Sequence, residues 1–333
     1  MKSIARAALA FAVITAGELV VFNHYNSLFT MKAHQAVVQY TAPRPTTSQL
    51  TGIHVLNSQV LAVSDDGTQL AYVDTGNVLH VLDVTTHSEV YKLQLDYQPV
   101  YLTWIRNDYL FIGTEAQQAG LADLRLSTIA VGSGTVRLIN DFSGFAPTST
   151  FKKISFSPYT NDVYILVGGQ TATILYHYDT NSNLSQIDLG GRYVSNVAVT
   201  STTNHLFFQD FALGTPNVLE YKNHQVNLIQ RNTALLRVIN DTMYYGALDS
   251  NGLVTTVFKY ENGTSSQVTA LATATDPKSL FINQDGQVIV STTQSFDNLT
   301  THKSTPIPAG STVINAYNAL FVLGADGKLN INQ

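Results

Sequence analysis

The sequence predicts an all-β body closed into a ring of seven sheets, a seven-bladed β-propeller, and three observations carry that expectation. Past residue 50, β-branched and aromatic residues alternate with polar ones, Gly, Asn and Asp punctuate them, and no stretch sustains a 3.6-residue period. A turn followed by a strongly hydrophobic strand recurs seven times, with strands starting at residues 70, 109, 163, 206, 242, 288 and 319. These starts lie 31 to 54 residues apart, about 42 on average, and a period near 40–45 with four strands per unit is the mark of a propeller blade. The ends also fit each other. The last unit stops one strand short at Gln333, while LTGIHVLN at 50–57 has no place in the first unit. Pairing the two closes the ring and hides its sheet edges. Six blades is the nearest alternative, with the sixth or seventh unit misread.

Taken in order, the chain opens with Lys2 and Arg6 (1–6, an expected cytoplasmic tail), then runs apolar from Ala7 to Phe22, interrupted by Glu18. The 16-residue run is shorter than the ~20 residues that span a bilayer, and the basic residues ahead of it point the N-terminus inward. Residues 7–23 read as a signal-anchor helix, with a cleaved signal peptide and a buried structural helix as alternatives. Residues 24–49 include TAPRPTTSQ, whose prolines and small polar residues read as a linker or stalk. The propeller is expected over 50–333.

Composition limits the function. Charged residues are 12% of the chain, about half the roughly 25% of an ordinary soluble domain, which suits an exported protein. A net charge of −5 offers no basic field to nucleic acid. The absence of cysteine excludes disulfides, Cys-containing zinc sites, CxxC redox motifs and a lipoprotein anchor.

The unit LAYVDTGNVLHVLDVTTHSEVYKLQL (70–95) places Tyr72-Val73, Gly76-Asn77, Val81-Leu82-Asp83 and Thr85-Thr86 in series. In that order it resembles a repeat of the YVTN-type propellers, relatives of the WD-repeat and Tol-type propellers. Residues 172–189, with Asp179 in place of Asp83, echo it faintly, and 254–271 more faintly still. The resemblance implies the fold and says little about activity. Related repeats that bind pyrroloquinoline quinone end in LD-x-x-TGK-x-x-W. Here Leu82-Asp83 is followed by no TGK, and the sole tryptophan, Trp104, falls on another strand, so no cofactor is expected.

No nucleophile elbow, P-loop or dinucleotide fingerprint is present, and the nine histidines show no metal-ligand spacing. His80 and His177 sit at comparable places in their units and read as structural. Asp65-Asp66-Gly67, Asp285-Gly286 and Asp326-Gly327 read as tight turns between first and second strands rather than as calcium ligands. A propeller binds where the second-to-third-strand loops and the blade-to-blade loops converge. Those loops are expected at 74–77, 96–99, 115–120, 141–150, 190–193, 210–217, 230–233, 273–278 and 295–298. The two longest, DFSGFAPTST and DFALGTPN, begin Asp-Phe. Phe142, Phe145 and Phe211, beside Asp141 and Asp210, are expected either to form an exposed apolar contact patch or to fold back and plug the channel mouth. Arg192, next to Tyr193, and Arg231 are placed to hold an anionic group or to pair with nearby aspartates. Asp74 and Asn77 complete the candidate set.

The reading that follows is a membrane-tethered, extracytoplasmic propeller acting as a non-catalytic binding or scaffold module for a protein or envelope polymer. Two alternatives stand beside it: a lactonase, lyase or glycan hydrolase with carboxylates converging on the axis, and a subunit of a secretion or surface-appendage complex.

Overall fold

The computed structural model describes Thr15, Glu18 and residues 49–332, other than 119, 204, 213, 316–318 and 325–327. The chain divides into two units, Met1–Pro43 and Arg44–Gln333. In the first, Thr15 and Glu18 are helical and Glu18 is exposed. The rest of the expected tail, apolar helix and stalk lies outside the described residues, apart from Gln49, as does Asp326-Gly327. Among the described residues no helix is long and apolar enough to cross a membrane.

The second unit is a seven-bladed β-propeller of seven antiparallel four-stranded sheets. After β1 (Gln49–Leu50), blade 1 holds β2 (Leu61–Val63), β3 (Gln69–Val73), β4 (Val78–Asp83) and β5 (Glu89–Gln94). Blade 2 holds β6 (Gln98–Ile105), β7 (Tyr109–Gln118), β8 (Leu121–Ala130) and β9 (Thr135–Phe145), and blade 3 holds β10 (Thr150–Phe156), β11 (Val163–Gly168), β12 (Thr173–Tyr178) and β13 (Leu184–Ile187). Blade 4 holds β14 (Val194–Val199), β15 (Leu206–Ala212), β16 (Thr215–Lys222) and β17 (Gln225–Arg231). Blade 5 holds β18 (Thr233–Ile239), β19 (Thr242–Leu248), β20 (Val254–Glu261) and β21 (Thr264–Thr275). Blade 6 holds β22 (Leu280–Ile282), β23 (Val288–Ser291), β24 (Ser295–Asn298) and β25 (Lys303–Pro306), and blade 7 holds β26 (Thr312–Asn315), β27 (Leu320–Leu323) and β28 (Leu329–Asn332).

All seven hydrophobic second strands of the sequence reading coincide with observed ones, and their composition explains the ring. Along β3, Leu70 and Tyr72 pack toward blade 7, while Ala71 and Val73 pack toward blade 2. Along β11, Tyr164 and Leu166 face blade 4, and Val163, Ile165 and Val167 face blade 2. A strand buried on both faces has no polar side to alternate with, so it reads as a continuous apolar run. Each such sheet needs an apolar neighbour on both sides, and a closed ring supplies one everywhere. The seven clusters of buried side chains accordingly lie one between each pair of adjacent blades. Burial of each Leu- or Phe-sized side chain in them contributes about 1.5–3 kcal/mol. The Trp104 indole adds a cross-blade tie, donating to the Ala62 carbonyl at 3.2 Å.

Blade 7 closes as three strands plus one: β1 pairs with β28, Gln49 opposite Asn330 and Leu50 opposite Leu329. The closing strand is shorter than the expected 50–57. Gly52 adopts φ 74 and turns the chain out of the sheet, after which the Leu56 amide bonds to the Val73 carbonyl. A residue in the left-handed region breaks regular strand pairing, here ending it, and glycine reaches that conformation without strain.

Because every sheet meanders, first-to-second and third-to-fourth turns emerge on one face of the ring. Second-to-third turns and blade-to-blade connections emerge on the other, hereafter the upper face. The Asp-Gly turns of 65–67 and 285–286 are on the lower face. Asp66 is spent within its own turn, accepting from the Thr68 amide and hydroxyl at 3.0 and 2.8 Å and from the Ser64 hydroxyl at 2.6 Å. His80 and His177 each stack on the tyrosine opposite them in the next strand, Tyr72 and Tyr164, with centroids 4.9 Å apart, and each bonds a carboxylate.

Candidate functional site

Blade 2 departs from the other blades on the upper face. Its strand β6 pairs with β7 only as far as Gln98 opposite Glu115, while β7 and β8 continue pairing to Gln118 opposite Leu121. Three residues of each strand therefore overhang the sheet, about 10 Å at ~3.4 Å per residue. Leu121 is exposed at the tip, and Tyr97, from the connection between blades 1 and 2, is exposed beside its base.

Strand period 2 sets what the upper end of this blade presents. Leu124 and Phe142 face blade 3 and join its core cluster. The opposite face carries two cross-strand rows: Thr114, Arg125 and Asp141, then Ala116 and Asp123 with Ser143. The rows continue the parity of Leu110, Ile112 and Ile129, which pack against blade 1 lower down. The site is thus the upper end of the interface between blades 1 and 2, where apolar side chains give way to charged ones. Together with Tyr97 these residues line a cleft of about 220 Å³.

A β-bulge shapes one wall. Ala122 opposes Phe145 and Leu124 opposes Phe142, so Asp123 faces two residues, Ser143 and Gly144. Gly144 has φ 77, the left-handed conformation that a bulge of this kind requires, and its amide points back to Asp123 Oδ1 at 3.4 Å. Arg125 Nε donates to Asp141 Oδ1 at 2.7 Å, and the guanidinium lies 5.0 Å from the Tyr97 ring centroid. The Asp141 carboxylate raises the Arg125 guanidinium above its ordinary value. Both partners stay half exposed, at 44% and 50%. The Thr114 side chain is buried to 7% exposure, lines the cleft and makes no hydrogen bond among the described residues.

The residues singled out from sequence fall into three places. Asp141 and Phe142 line the blade 2 cleft, but they lie in β9, not in a loop over 141–150; only 146–149 connect β9 to β10. Phe142 is not an exposed contact. It is 4% exposed, edge-on to Phe151 and tilted against Tyr176, and Phe145 is half-buried against the same cluster. Neither plugs the channel: β9 is the outermost strand of its blade. The stretches 115–120 and 210–217 are likewise the ends of strand hairpins, and 295–298 is strand β24.

Arg192, Tyr193, Asp210 and Phe211 come together on blade 4. Arg192 Nη1 bonds Asp210 Oδ2 at 2.6 Å, and Asn217 Nδ2 donates to Asp210 Oδ1 at 2.9 Å. Tyr193 and Phe211 meet edge to face at 6.5 Å, with Phe211 half exposed. Asp210 is completely buried, so this arginine takes the second of its expected roles, pairing with a nearby aspartate. Arg231 is exposed at the end of β17 and joins neither group. Asp74 and Asn77 form the second-to-third turn of blade 1. Asp74 Oδ1 accepts the Gly76 and Val78 amides, its Oδ2 meets His80, and Asn77 holds φ 60. Both oxygens of Asp74 are thereby engaged.

Tyr97, Thr114, Asp123 and Arg125 were missed by the sequence reading. Two signals marked Asp123 and Arg125: charges two apart within an apolar strand (ADLRL, 122–126), and Ser-Gly inside a strand pattern, which denotes a bulge. On the inner strands, Lys153 of β10 and Arg237 of β18 are two further cations. Burial, and then the like charge of Arg237, push the Lys153 ammonium down to about 7. Lys153 is enclosed by protein on the inner wall yet partly reached by solvent.

No family model and no curated protein matches this sequence. Among solved structures the chain is similar to TolB from Acinetobacter baumannii, at 10% identity and a TM-score of 0.46, with 79% of this chain and 78% of that one covered. At such identity nothing of that protein's activity passes to this chain.

Proposed function

We propose that the protein is a non-catalytic binding or scaffold module working outside the cytoplasm. Residues 7–23 tether it to the membrane, 24–48 form a stalk, and a protein or envelope polymer docks on the upper face of the propeller. The observation that carries this reading is the blade 2 overhang. It raises Leu121 and one wall of an open cleft, Ala116 and Asp123, above the sheet, beside a half-exposed Arg–Asp pair and the exposed Tyr97 at its base. Aromatic and arginine side chains beside an enclosed pocket are the usual anchors of a recognition surface. The sparse charge of the chain and its basic–apolar N-terminus support the location.

Site-specific photocrosslinking in intact cells tests it. A benzophenone side chain replaces Tyr97, and in a second strain Tyr159, which is 72% exposed on the lower face. One adduct of defined mass from position 97 and none from 159 is expected. Adducts from 159 alone, or from neither, would remove the reading.

A further inference from the structure

We propose that the blade 2 cleft receives the cationic end, guanidinium or ammonium, of a basic side chain from a partner polypeptide. This rests on the binding role above and adds its chemistry. The cleft already holds such a group: Arg125 lies over the Tyr97 ring and bonds Asp141, the two contacts an incoming arginine would make. The chain's own arginine leaves the site unsaturated. Asp141 neutralises Arg125, and the second carboxylate, Asp123, is contacted only by the long bond from the Gly144 amide among the described residues. The Thr114 and Ser143 hydroxyls add two acceptors on the same walls.

Charge decides against an anionic guest. The lining carries two carboxylates and one guanidinium, and Asp96 and Glu115 flank Tyr97 and Thr114 in the chain. An anion would have to take Arg125 from Asp141 while facing Asp123. Size decides against a large ligand, since about 220 Å³ falls below the roughly 300–1,000 Å³ of sites for drug-sized molecules. It suits the end of one long side chain.

Saturation-transfer NMR on the full chain in detergent tests this, with N-acetyl-arginine amide, N-acetyl-lysine amide, N-acetyl-glutamate amide and glucose as probes. Binding of the two cationic probes alone is expected. Asp123→Asn and Asp141→Asn should each weaken it about tenfold at an unchanged denaturation midpoint, which controls for folding. Arg125→Gln, which removes the internal competitor, should leave binding intact or tighten it severalfold. Binding of the glutamate or glucose probe, loss of binding in Arg125→Gln, or no binding of any probe at 10 mM (roughly the weakest useful affinity) would each overturn the proposal. A crosslink at position 97 with no cation binding would sink the cation chemistry and leave the binding role standing.

Discussion

Blades 2 and 4 both carry an Arg–Asp pair on the upper face, and the two pairs do different work. On blade 4, Asp210 is fully buried, accepts from Arg192 and Asn217, and locks the β15–β16 hairpin to the connection before it. On blade 2, Arg125 and Asp141 are half in water, sit across two adjacent strands and border an open cleft. A buried carboxylate with every oxygen bonded cannot exchange partners without an uncompensated charge. A solvated pair can separate at little cost. The same two residue types therefore make a rivet in one place and an exchangeable contact in the other, and burial decides which.

Phe142→Ala should produce the largest change, because it empties the apolar contact between the upper end of blade 2 and blade 3: about 3–4 kcal/mol lost, read from the denaturant midpoint. A loss under 1 kcal/mol would mean that the upper end of blade 2 does not depend on its core. Next, Asp210→Ala should cost about 2–3 kcal/mol, less than for a fully enclosed pair because Arg192 remains 39% exposed. The inner wall supplies a third environment. Lys153 titrates lower folded than unfolded, so the protonated side chain opposes folding. That penalty is complete below about 7 and fades as pH rises toward the unfolded value near 10.5. Lys153→Met should thus stabilise by about 1–2 kcal/mol at pH 6 and by little at pH 10; a gain independent of pH would indicate packing instead. Smallest of all, a double-mutant cycle on Arg125 and Asp141 should return a coupling below about 1 kcal/mol. A coupling as large as that of Arg192 and Asp210 would erase the contrast.

The ring was legible in the sequence because its logic is repetitive. LAYVD, VYILVG and TMYYGAL are apolar on both faces for one reason, burial between two neighbours, and every blade restates it. The closing strand was legible in kind and misjudged in length, since IHVLN alternates like a strand while one glycine in φ > 0 decides where pairing ends. The site was half legible. Asp141 and Phe142 were found through a composition cue, Asp-Phe before small residues, that suggested a loop. Asp210 and Phe211 shared the cue and led to the rivet. The cleft itself depends on how far β7 and β8 outrun β6, and strand overhang is a difference between partners that no single stretch of residues displays. Tyr97 belongs to the site only because the blade-to-blade connection delivers it there.

The two-residue clasp of β1 on β28 has a mechanical consequence. Tension on the chain ahead of residue 49 meets only two residues of sheet pairing before it reaches the ring, so resistance there falls to Leu50 and, behind it, Ile53, 1% and 3% exposed in one cluster with Tyr72, Phe321 and Leu329. The closure works as a snap fastener, held by two neighbouring pegs and not by a long seam. Pulled from that end, the ring would release at a sharp threshold set by the fit of Leu50 and Ile53, well before any blade gave way.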